Sequence, residues 1–78
     1  MKVKLPGVVR IPINGDSIRL DALLKYASAV SSGGEAKRLI QGGEVFVSGT
    51  LCTERGRKIK PGDVVRLGGD TLLVREAK

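Results

Sequence analysis

The part of the sequence that most constrains the fold is residues 31–49, which contain a helix start, a helix stop, a strand and a turn. Ser32, followed three positions later by Glu35, is a capping box, in which the two side chains satisfy backbone amides at a helix start. Gly42 and Gly43 then end the helix, because glycine readily adopts the left-handed conformation of a helix C-terminus. Between these signals lie apolar residues with the spacing of one helix face: Ala36, Leu39 and Ile40.

A short strand is predicted directly after this helix, over residues 44–48, because the segment contains β-branched and aromatic side chains. Val45 and Val47 fall on the same side of such a strand. Phe46 lies between them, and the usual preference of phenylalanine for protein interiors assigns its ring to the core. The glycine within residues 48–50 is expected to turn the chain.

An earlier helix is predicted from a stripe of apolar residues. Asp16 or Ser17 is expected to cap its N-terminus, since short polar side chains accept hydrogen bonds from the first helical amides. The helix should fade near residues 28–30, because the Ser-Ser-Gly-Gly sequence that follows is unfavourable in a helix interior. The stripe recurs at helical spacing: Leu20, Leu23, Leu24, Ala27 and Val30.

Residues 8–13 predict a strand at the edge of a sheet. Pro12 has no amide hydrogen to donate to a neighbouring strand, which disfavours a central position. One face of this strand is apolar and consists of Val9, Ile11 and Ile13. The preceding residues 1–6 carry Lys2 and Lys4 and are interpreted as either a further strand or a basic arm.

The C-terminal part predicts a β-hairpin around the Gly-Gly-Asp turn at residues 68–70. Its two strands are expected at residues 63–67 and 71–76. A Pro-Gly pair signals a turn just before the hairpin, and Asp63 is expected to fix that turn. Residues 51–53 are expected to pair briefly with a neighbouring strand.

These elements follow one another as strand, helix, helix and then several strands. Two helices segregated to one face of a sheet define an α+β domain. Seventy-eight residues suffice for one such domain with a small core. We therefore predict one domain over residues 1–78, with two short helices packed on a small antiparallel sheet of four to five strands.

The residue types disfavour catalysis. The chain has no histidine and a single cysteine, Cys52, which argues against a zinc site or a Cys-His nucleophile. Cys52 is instead interpreted as a small, half-buried apolar residue. The Gly-Gly-Glu-Ala-Lys sequence at residues 33–37 lacks the spacing of a phosphate-binding loop. We predict a protein that is not an enzyme and that uses no cofactor, metal or small-molecule substrate.

The charge of the chain indicates a polyanionic partner. Fourteen lysines and arginines against eight acidic residues give a net charge of +6 and a pI of about 10.0. A basic excess of this size favours nucleic acid first and an anionic membrane surface second. No apolar run approaches the length needed to span a bilayer, and neither helix combines a strongly basic face with interfacial aromatic residues. We therefore expect no membrane partner.

The positive charges cluster in two places. One pair lies on the polar face of the second helix, and four further cations lie within residues 55–60. If that loop lies beside the second helix, six cations share one surface; the alternative is an ordinary solvated face, although only Glu44 and Glu54 lie near in sequence. The predicted binding residues are Lys37, Arg38, Arg55, Arg57, Lys58 and Lys60, with Lys25, Tyr26, Arg19 and Gln41 as weaker members.

The scarcity of aromatic residues indicates how a nucleic acid would be recognised. Single-strand binders stack bases on several exposed aromatic rings, whereas this chain has only Tyr26 and Phe46. Recognition is therefore expected through backbone phosphates and the shape of a folded RNA. Gly33 and Gly34 leave two interpretations open: their bare amides bind a phosphate, or they only shape a tight loop between the helices.

The motifs together resemble the S-four-type RNA-binding domain, whose core is also known as the alpha-L RNA-binding motif. The resemblance covers residues 17–67. It rests on the capped helix with its Gly stop, on the Ile-Arg-Leu-Asp-Ala-Leu-Leu sequence at 18–24, and on the Lys-Pro-Gly-Asp-Val-Val sequence at 60–65. With Gly-Arg-Lys at 56–58, the chain most resembles the small stand-alone bacterial members, often described as ribosome-associated proteins.

The resemblance implies two helices on a small curved sheet, with structured RNA bound across the helix pair and the adjoining loop. In the wider family this module is attached to synthetases, pseudouridine synthases or ribosomal proteins, and only its binding function would carry over here. Many members have an arginine directly after the serine that opens the second helix. Gly33 stands at that position here, so Lys37, Arg38 and residues 55–60 would supply more of the phosphate contacts.

The sequence thus predicts a non-catalytic, cytoplasmic RNA-binding module, monomeric, whose partner is structured RNA such as ribosomal RNA or the ribosome. The cytoplasm is expected because the chain has a lone cysteine and no signal-peptide pattern. The main alternative is a protein-interaction domain whose basic face docks an acidic partner in a ribosome-associated complex. Duplex DNA binding is a third interpretation, for which the short second helix has no base-reading signature.

Overall fold

The structure of the protein is a computed structural model that describes residues 7–77. Two helices and a five-stranded sheet confirm the predicted α+β class. The basic arm or strand predicted for residues 1–6 lies outside the described residues. The elements in chain order are β1 (Gly7–Ile13), β2 (Ile18–Arg19), α1 (Leu20–Tyr26), α2 (Gly33–Gln41), β3 (Val45–Val47), β4 (Thr50–Leu51), β5 (Lys58–Ile59), β6 (Val64–Leu67) and β7 (Asp70–Glu76).

The main sheet has the strand order β1-β7-β6-β3-β4, and β2 and β5 form a separate antiparallel pair. The predicted edge position of the proline-containing strand β1 is confirmed. The sheet is not wholly antiparallel as predicted, because β1 runs parallel to β7, with Ile11 opposite Val74. A parallel pair needs a long connection, and here the rest of the domain, including both helices, lies between the two strands.

The core lies between the two helices and one face of the sheet. The apolar stripe predicted for α1 is confirmed, since its three leucines are fully buried. No polar or charged residue is buried within residues 7–77. The buried residues are Ile11, Ile13, Leu20, Leu23, Leu24, Val30, Ala36, Ile40, Val45, Val47, Cys52, Ile59, Val65, Leu72 and Val74.

Helix α1 is shorter at both ends than the sequence predicts. The prediction that Asp16 or Ser17 caps it is wrong: the N-cap position is Arg19, whose side chain makes no capping hydrogen bond. The reason is that Ile18–Arg19 is held extended as β2, so helical geometry begins only at the next residue. At the other end α1 stops at Tyr26, and Ser28 has a positive φ of 59° that redirects the chain toward α2.

Helix α2 follows its sequence signals closely. The Ser32 hydroxyl accepts a hydrogen bond from the Glu35 amide at 3.2 Å, which confirms the predicted cap. The Glu35 carboxylate in turn accepts from the amide of Ser31 at 2.8 Å, one residue before the N-cap. Gly42 forms the C-cap, and Gly43 adopts a φ of 81°, the left-handed conformation predicted for the helix stop.

The prediction that Phe46 belongs to the core is wrong. Successive side chains in a strand point to opposite faces, and only one face of β3 is covered by helices. Val45 and Val47 occupy the covered face and are buried, as predicted, so Phe46 must lie on the other face. Its side chain is 41% exposed.

Three smaller features fix the remaining segments. Cys52 is fully buried rather than half-buried as predicted, and its thiol donates to the carbonyl of Glu54 at 3.6 Å. Asp63 fixes its turn as predicted, because its carboxylate accepts from the Lys60 amide at 2.8 Å. Val9 lies on the core side of β1 but is exposed there.

Neither helix within residues 7–77 is long and apolar enough to cross a bilayer.

The helix stop gives a test of the fold. Gly43→Ala forces an L residue into left-handed geometry, which should lower the free energy of unfolding by about 1 kcal/mol. Gly34→Ala is the matched control, because Gly34 has an ordinary helical φ and an added Cβ would meet only the Ser32 hydroxyl at 3.9 Å. Urea unfolding measures both variants. Equal stability of the two would contradict the role of Gly43.

Candidate nucleic-acid interface

The basic loop at residues 55–60 is fastened to the start of α1 by two backbone hydrogen bonds. The Leu20 amide donates to the carbonyl of Arg57 at 2.8 Å, and the Asp21 amide donates to the carbonyl of Arg55 at 3.1 Å. The first amides of a helix have no partner within the helix and need one from outside. In α1 the loop supplies that partner, and this explains why no capping side chain is required.

The strand pair β2–β5 fastens the same loop a second time. Ile18 lies opposite Ile59, and Arg19 lies opposite Lys58. Because Ile59 is fully buried, the alternation of a strand directs Arg19 and Lys58 outward together. Side chains that face each other in an antiparallel pair lie about 5 Å apart at Cβ. Two cations therefore share one outward face where the loop meets α1.

The charge of Arg19 is not fully available to a ligand. Its guanidinium donates to both carboxylate oxygens of Asp21, at 3.2 and 3.1 Å, in a two-point ion pair. The pair is largely exposed on the arginine side and so contributes little to stability. The ion pair does hold the Arg19 side chain next to the loop: the Nη2 atom of Arg19 would lie 3.9 Å from a Cβ added at Gly56.

Cations of the loop line a shallow hollow between the loop and the chain that precedes β2. The hollow is of mixed charge, because two carboxylates also border it. One of them, Asp63, is already used, since it accepts from the Lys60 amide and from the Ser48 hydroxyl at 3.4 Å. The residues that line the hollow are Asp16, Ser17, Arg57, Lys58, Lys60 and Asp63.

The polar residues of α2 form a separate part of the predicted site. Lys37, Arg38 and Gln41 are exposed on the outer face, because Ala36 and Ile40 turn the opposite face toward the core. Helix α2 packs against α1. Within residues 7–77 no hydrogen bond joins α2 to the loop, so the partners that hold the loop are α1 and β2 rather than the second helix.

The last turn of α1 contributes Lys25 and Tyr26, both exposed. Tyr26 is 59% exposed, as expected for a residue off the apolar stripe. Its ring borders a shallow depression together with Ile18 and Ala22. With these two, all ten residues that the sequence predicts for binding are exposed, and α1 is the element that adjoins both the loop and α2.

The start of α2 does not favour an anion as strongly as the sequence alone suggests. The Glu35 carboxylate accepts from the amide of Ser31 and brings a negative charge to this helix end. The amides of Gly33 and Gly34 are not used by the cap.

The structure contains no candidate metal site within residues 7–77, because no group of three or more histidine, cysteine or acidic residues could hold a metal ion there.

Comparison with known proteins identifies the family of this arrangement. Residues 11–75 match the family described as the S4 domain. The chain belongs to the S4 domain family. This confirms the resemblance to the S-four-type domain and extends it from residues 17–67 to nearly the whole chain.

Three relatives show the kinds of protein to which the chain is similar. The chain is 41% identical over 59 residues to the probable ribosome maturation protein RlbA of Bacillus subtilis, which covers 76% of this chain and 83% of that protein. It is 40% identical over 62 residues to the dual-specificity RNA pseudouridine synthase RluF of Escherichia coli, covering 80% of this chain and 21% of the enzyme. It is 36% identical over 63 residues to the small ribosomal subunit protein uS4 of Sphingopyxis alaskensis, covering 77% and 31%.

The chain therefore spans about a fifth of the length of RluF and about a third of uS4, but most of RlbA. A solved structure has the same fold: heat shock protein 15 of Vibrio cholerae, described as trimeric, superposes with a TM-score of 0.60 at 24% identity. That match covers 72% of this chain and 58% of the other. The predicted monomeric state of this S4 domain stays a prediction.

The docking of the loop on α1 gives a second test. The Leu20 and Asp21 amides are bonded to loop carbonyls, so we expect their hydrogen exchange to be at least about tenfold slower than their intrinsic rates predict. Gly33 and Gly34 are the matched control, because they occupy the first positions of α2 and have no such acceptor. Exchange measured by NMR separates the four amides. Equally fast exchange at both helix starts would contradict the docked loop.

Proposed function

We propose that this S4 domain is a non-catalytic module that binds structured RNA, ribosomal RNA first, through phosphate contacts. The binding surface, called here the helix-side basic surface, combines the outer faces of α1 and α2 with the loop. The observation that carries the proposal is the fixing of the loop to the start of α1. The residues of the helix-side basic surface are Lys37, Arg38, Arg55, Arg57, Lys58 and Lys60, with Arg19, Lys25, Tyr26 and Gln41 at its edge.

A loop fixed by its own backbone suits phosphate binding. The carbonyls of Arg55 and Arg57 are bonded to α1, so the backbone beneath their side chains has little freedom to lose on binding. The side chains themselves are exposed and remain free to reach separate phosphates. Such contacts position a protein on RNA without reading its sequence.

The names of the relatives support the choice of RNA. They refer to an RNA pseudouridine synthase, a ribosome maturation protein and a ribosomal subunit protein. The similarity to the synthase covers only 21% of that enzyme, which supports binding rather than catalysis as the shared property. We propose that the protein acts on ribosomal particles in the cytoplasm, as a monomer and without a cofactor.

The central test removes two loop cations. Arg57→Ala with Lys58→Ala should weaken binding to a ribosomal RNA hairpin without unpaired ends by about tenfold, because two phosphate contacts are lost. If the wild type contacts about five phosphates, its log Kd should change with log salt with a slope of about 3 to 5, and the double variant should reduce that slope by about 1.5. Fluorescence anisotropy at several salt concentrations measures both quantities.

A variant of equal charge serves as the control. Arg10→Ala with Arg75→Ala removes the same two charges from β1 and β7, on the sheet face away from the helices. On the same hairpin without unpaired ends, the effect of this control should be at most about twofold, since only long-range attraction changes. If both double variants weaken binding equally, net charge rather than the helix-side basic surface determines affinity.

The main alternative is an acidic protein partner for the same surface. Both candidates use the exposed cations, so the location of the charge does not separate them. Recovery of the ribosome-associated complex before and after ribonuclease treatment does: an RNA partner requires intact RNA, whereas a protein partner survives the digestion. Competition between RNA and duplex DNA of equal length tests the third interpretation.

Gly33 permits a gain-of-function test. A Cβ at Gly33 would meet nothing within 4 Å, and its φ is not in the left-handed region, so a side chain can begin there without backbone strain. Gly33→Arg should tighten RNA binding by about threefold and steepen the salt slope by about 0.7 to 0.9, because it restores the cation that many family members have. Gly33→Ala controls for the backbone change. Unchanged affinity in the arginine variant would place RNA away from the start of α2.

A further inference from the structure

The sheet has a second face that no described element covers. Both helices pack on the side of Val45, Val65 and Val74, and the alternation of the strands directs every second residue the other way. We call this second side the open sheet face. The strand register assigns to it Val8, Arg10 and Pro12 of β1, Thr71, Leu73 and Arg75 of β7, Val64 and Arg66 of β6, Phe46 of β3 and Leu51 of β4.

The central residues of the open sheet face are apolar, and its charged residues are all basic. Its three arginines, Arg10, Arg66 and Arg75, are exposed. None of its ten residues is acidic. One carboxylate, that of Glu44, borders the same shallow hollow as Phe46 and Arg66. Within residues 7–77, none of the three arginines forms an ion pair with a carboxylate.

Phe46 lies in the middle of a row that crosses the sheet. Its direct neighbours in register are Leu51 on one side and Arg66 on the other. Neighbours of this kind have Cβ atoms about 5 Å apart, so the Arg66 side chain leaves the sheet beside an exposed aromatic ring, and both residues line the same hollow. Both groups have flat surfaces on which a nucleic-acid base stacks. Leu51, 49% exposed, ends the row at the edge of the sheet, and its branched side chain has no flat surface for stacking.

The other two arginines lie along the sheet from this platform. Arg10 and Arg75 are in the next two rows, and each row is displaced by two residues, about 7 Å, along the strands. Positive charges therefore continue along the sheet beyond the ring, on β1 and β7. A strand whose base stacks on Phe46 would have phosphates within reach of the two arginines.

We propose that the open sheet face is a second nucleic-acid site, which binds a short single-stranded RNA segment by stacking on Phe46 and Arg66 and by phosphate contacts from Arg10 and Arg75. The site goes beyond the proposed function, because it lies on the other side of the sheet from the helix-side basic surface. A domain with both sites bridges a folded RNA element and an adjacent unpaired strand.

Charge complementarity favours RNA over other occupants. A second copy of the chain would place three arginines of one face against three of the other with no described acidic residue on the face to offset them. An acidic peptide would satisfy the arginines but would not need an aromatic ring beside a guanidinium. A single strand uses the ring, the guanidinium and the flanking charges together.

The test uses two RNA probes and the intact protein. The probes are an oligouridylate of about ten nucleotides, which has no stable structure, and a hairpin without unpaired ends. Phe46→Leu keeps an apolar side chain but removes the ring, and Arg66→Gln removes the guanidinium. Leu51→Val is the matched control, because it changes a neighbouring apolar residue of the same face without any loss of stacking.

We expect Phe46→Leu and Arg66→Gln each to weaken oligouridylate binding by about fivefold to tenfold and to leave hairpin binding within about twofold. Leu51→Val should bind both probes like the wild type. Amide chemical shifts should move on β3, β6 and β7 with oligouridylate, and on α1, α2 and residues 55–60 with the hairpin. Unchanged spectra outside the substituted positions show that the variants are folded.

The two proposals fail in different ways. If Arg57→Ala with Lys58→Ala loses the hairpin but keeps oligouridylate, the second site stands by itself. If oligouridylate shifts only the helix-side basic surface and competes with the hairpin, the second site is overturned. Binding of a polyglutamate peptide that depends on Arg66 but not on Phe46, or concentration-dependent dimers in sedimentation that Phe46→Leu abolishes, would likewise overturn it in favour of a protein occupant.

Discussion

The arrangement of the domain depends on the two hydrogen bonds by which the first amides of α1 meet the carbonyls of Arg57 and Arg55. A helix start needs acceptors for its amides, and a loop rich in like charges needs a fixed backbone to present them. Here the loop carbonyls supply the acceptors for the helix amides, and the same hydrogen bonds fix the backbone of the loop. The contact sets where α1 begins, and it places the loop beside α1, whose other neighbour is α2. The adjacent β2–β5 pair buries Ile59 and reinforces the same junction.

A second constraint is that helices cover only one face of the sheet. A small domain has too few residues to build a second layer of helices, so about half of the side chains in its strands are not covered by a helix. In this chain that half includes an aromatic ring and three arginines rather than a neutral polar surface. The position of Phe46 follows from this asymmetry, because its neighbours Val45 and Val47 are required by the core. Both aromatic residues of the chain are thereby exposed, Tyr26 on a helix and Phe46 on the opposite side of the sheet.

The sequence predicted the elements better than their contacts. The capping box at Ser32, the glycine stop at Gly43 and the edge position of β1 were all correct, because each depends on residues within a few positions or on a missing amide. The cap of α1 was wrong, because its acceptors come from residues far along the chain. The ten predicted binding residues are all exposed. The sequence left open whether the loop lies beside the second helix, because local patterns do not show that its carbonyls accept hydrogen bonds from α1.

The sequence by itself determined the class of the domain, its small apolar core, the limits of α2 and an excess of positive charge concentrated in two segments. These properties follow from composition and from local spacing, which any conformation of the chain retains. Only the tertiary structure decided the start of α1, the parallel pairing of β1 with β7, the attachment of the basic loop and the outward position of Phe46. Each of these depends on which distant segment becomes a neighbour, and that is set by packing the whole chain around a single core.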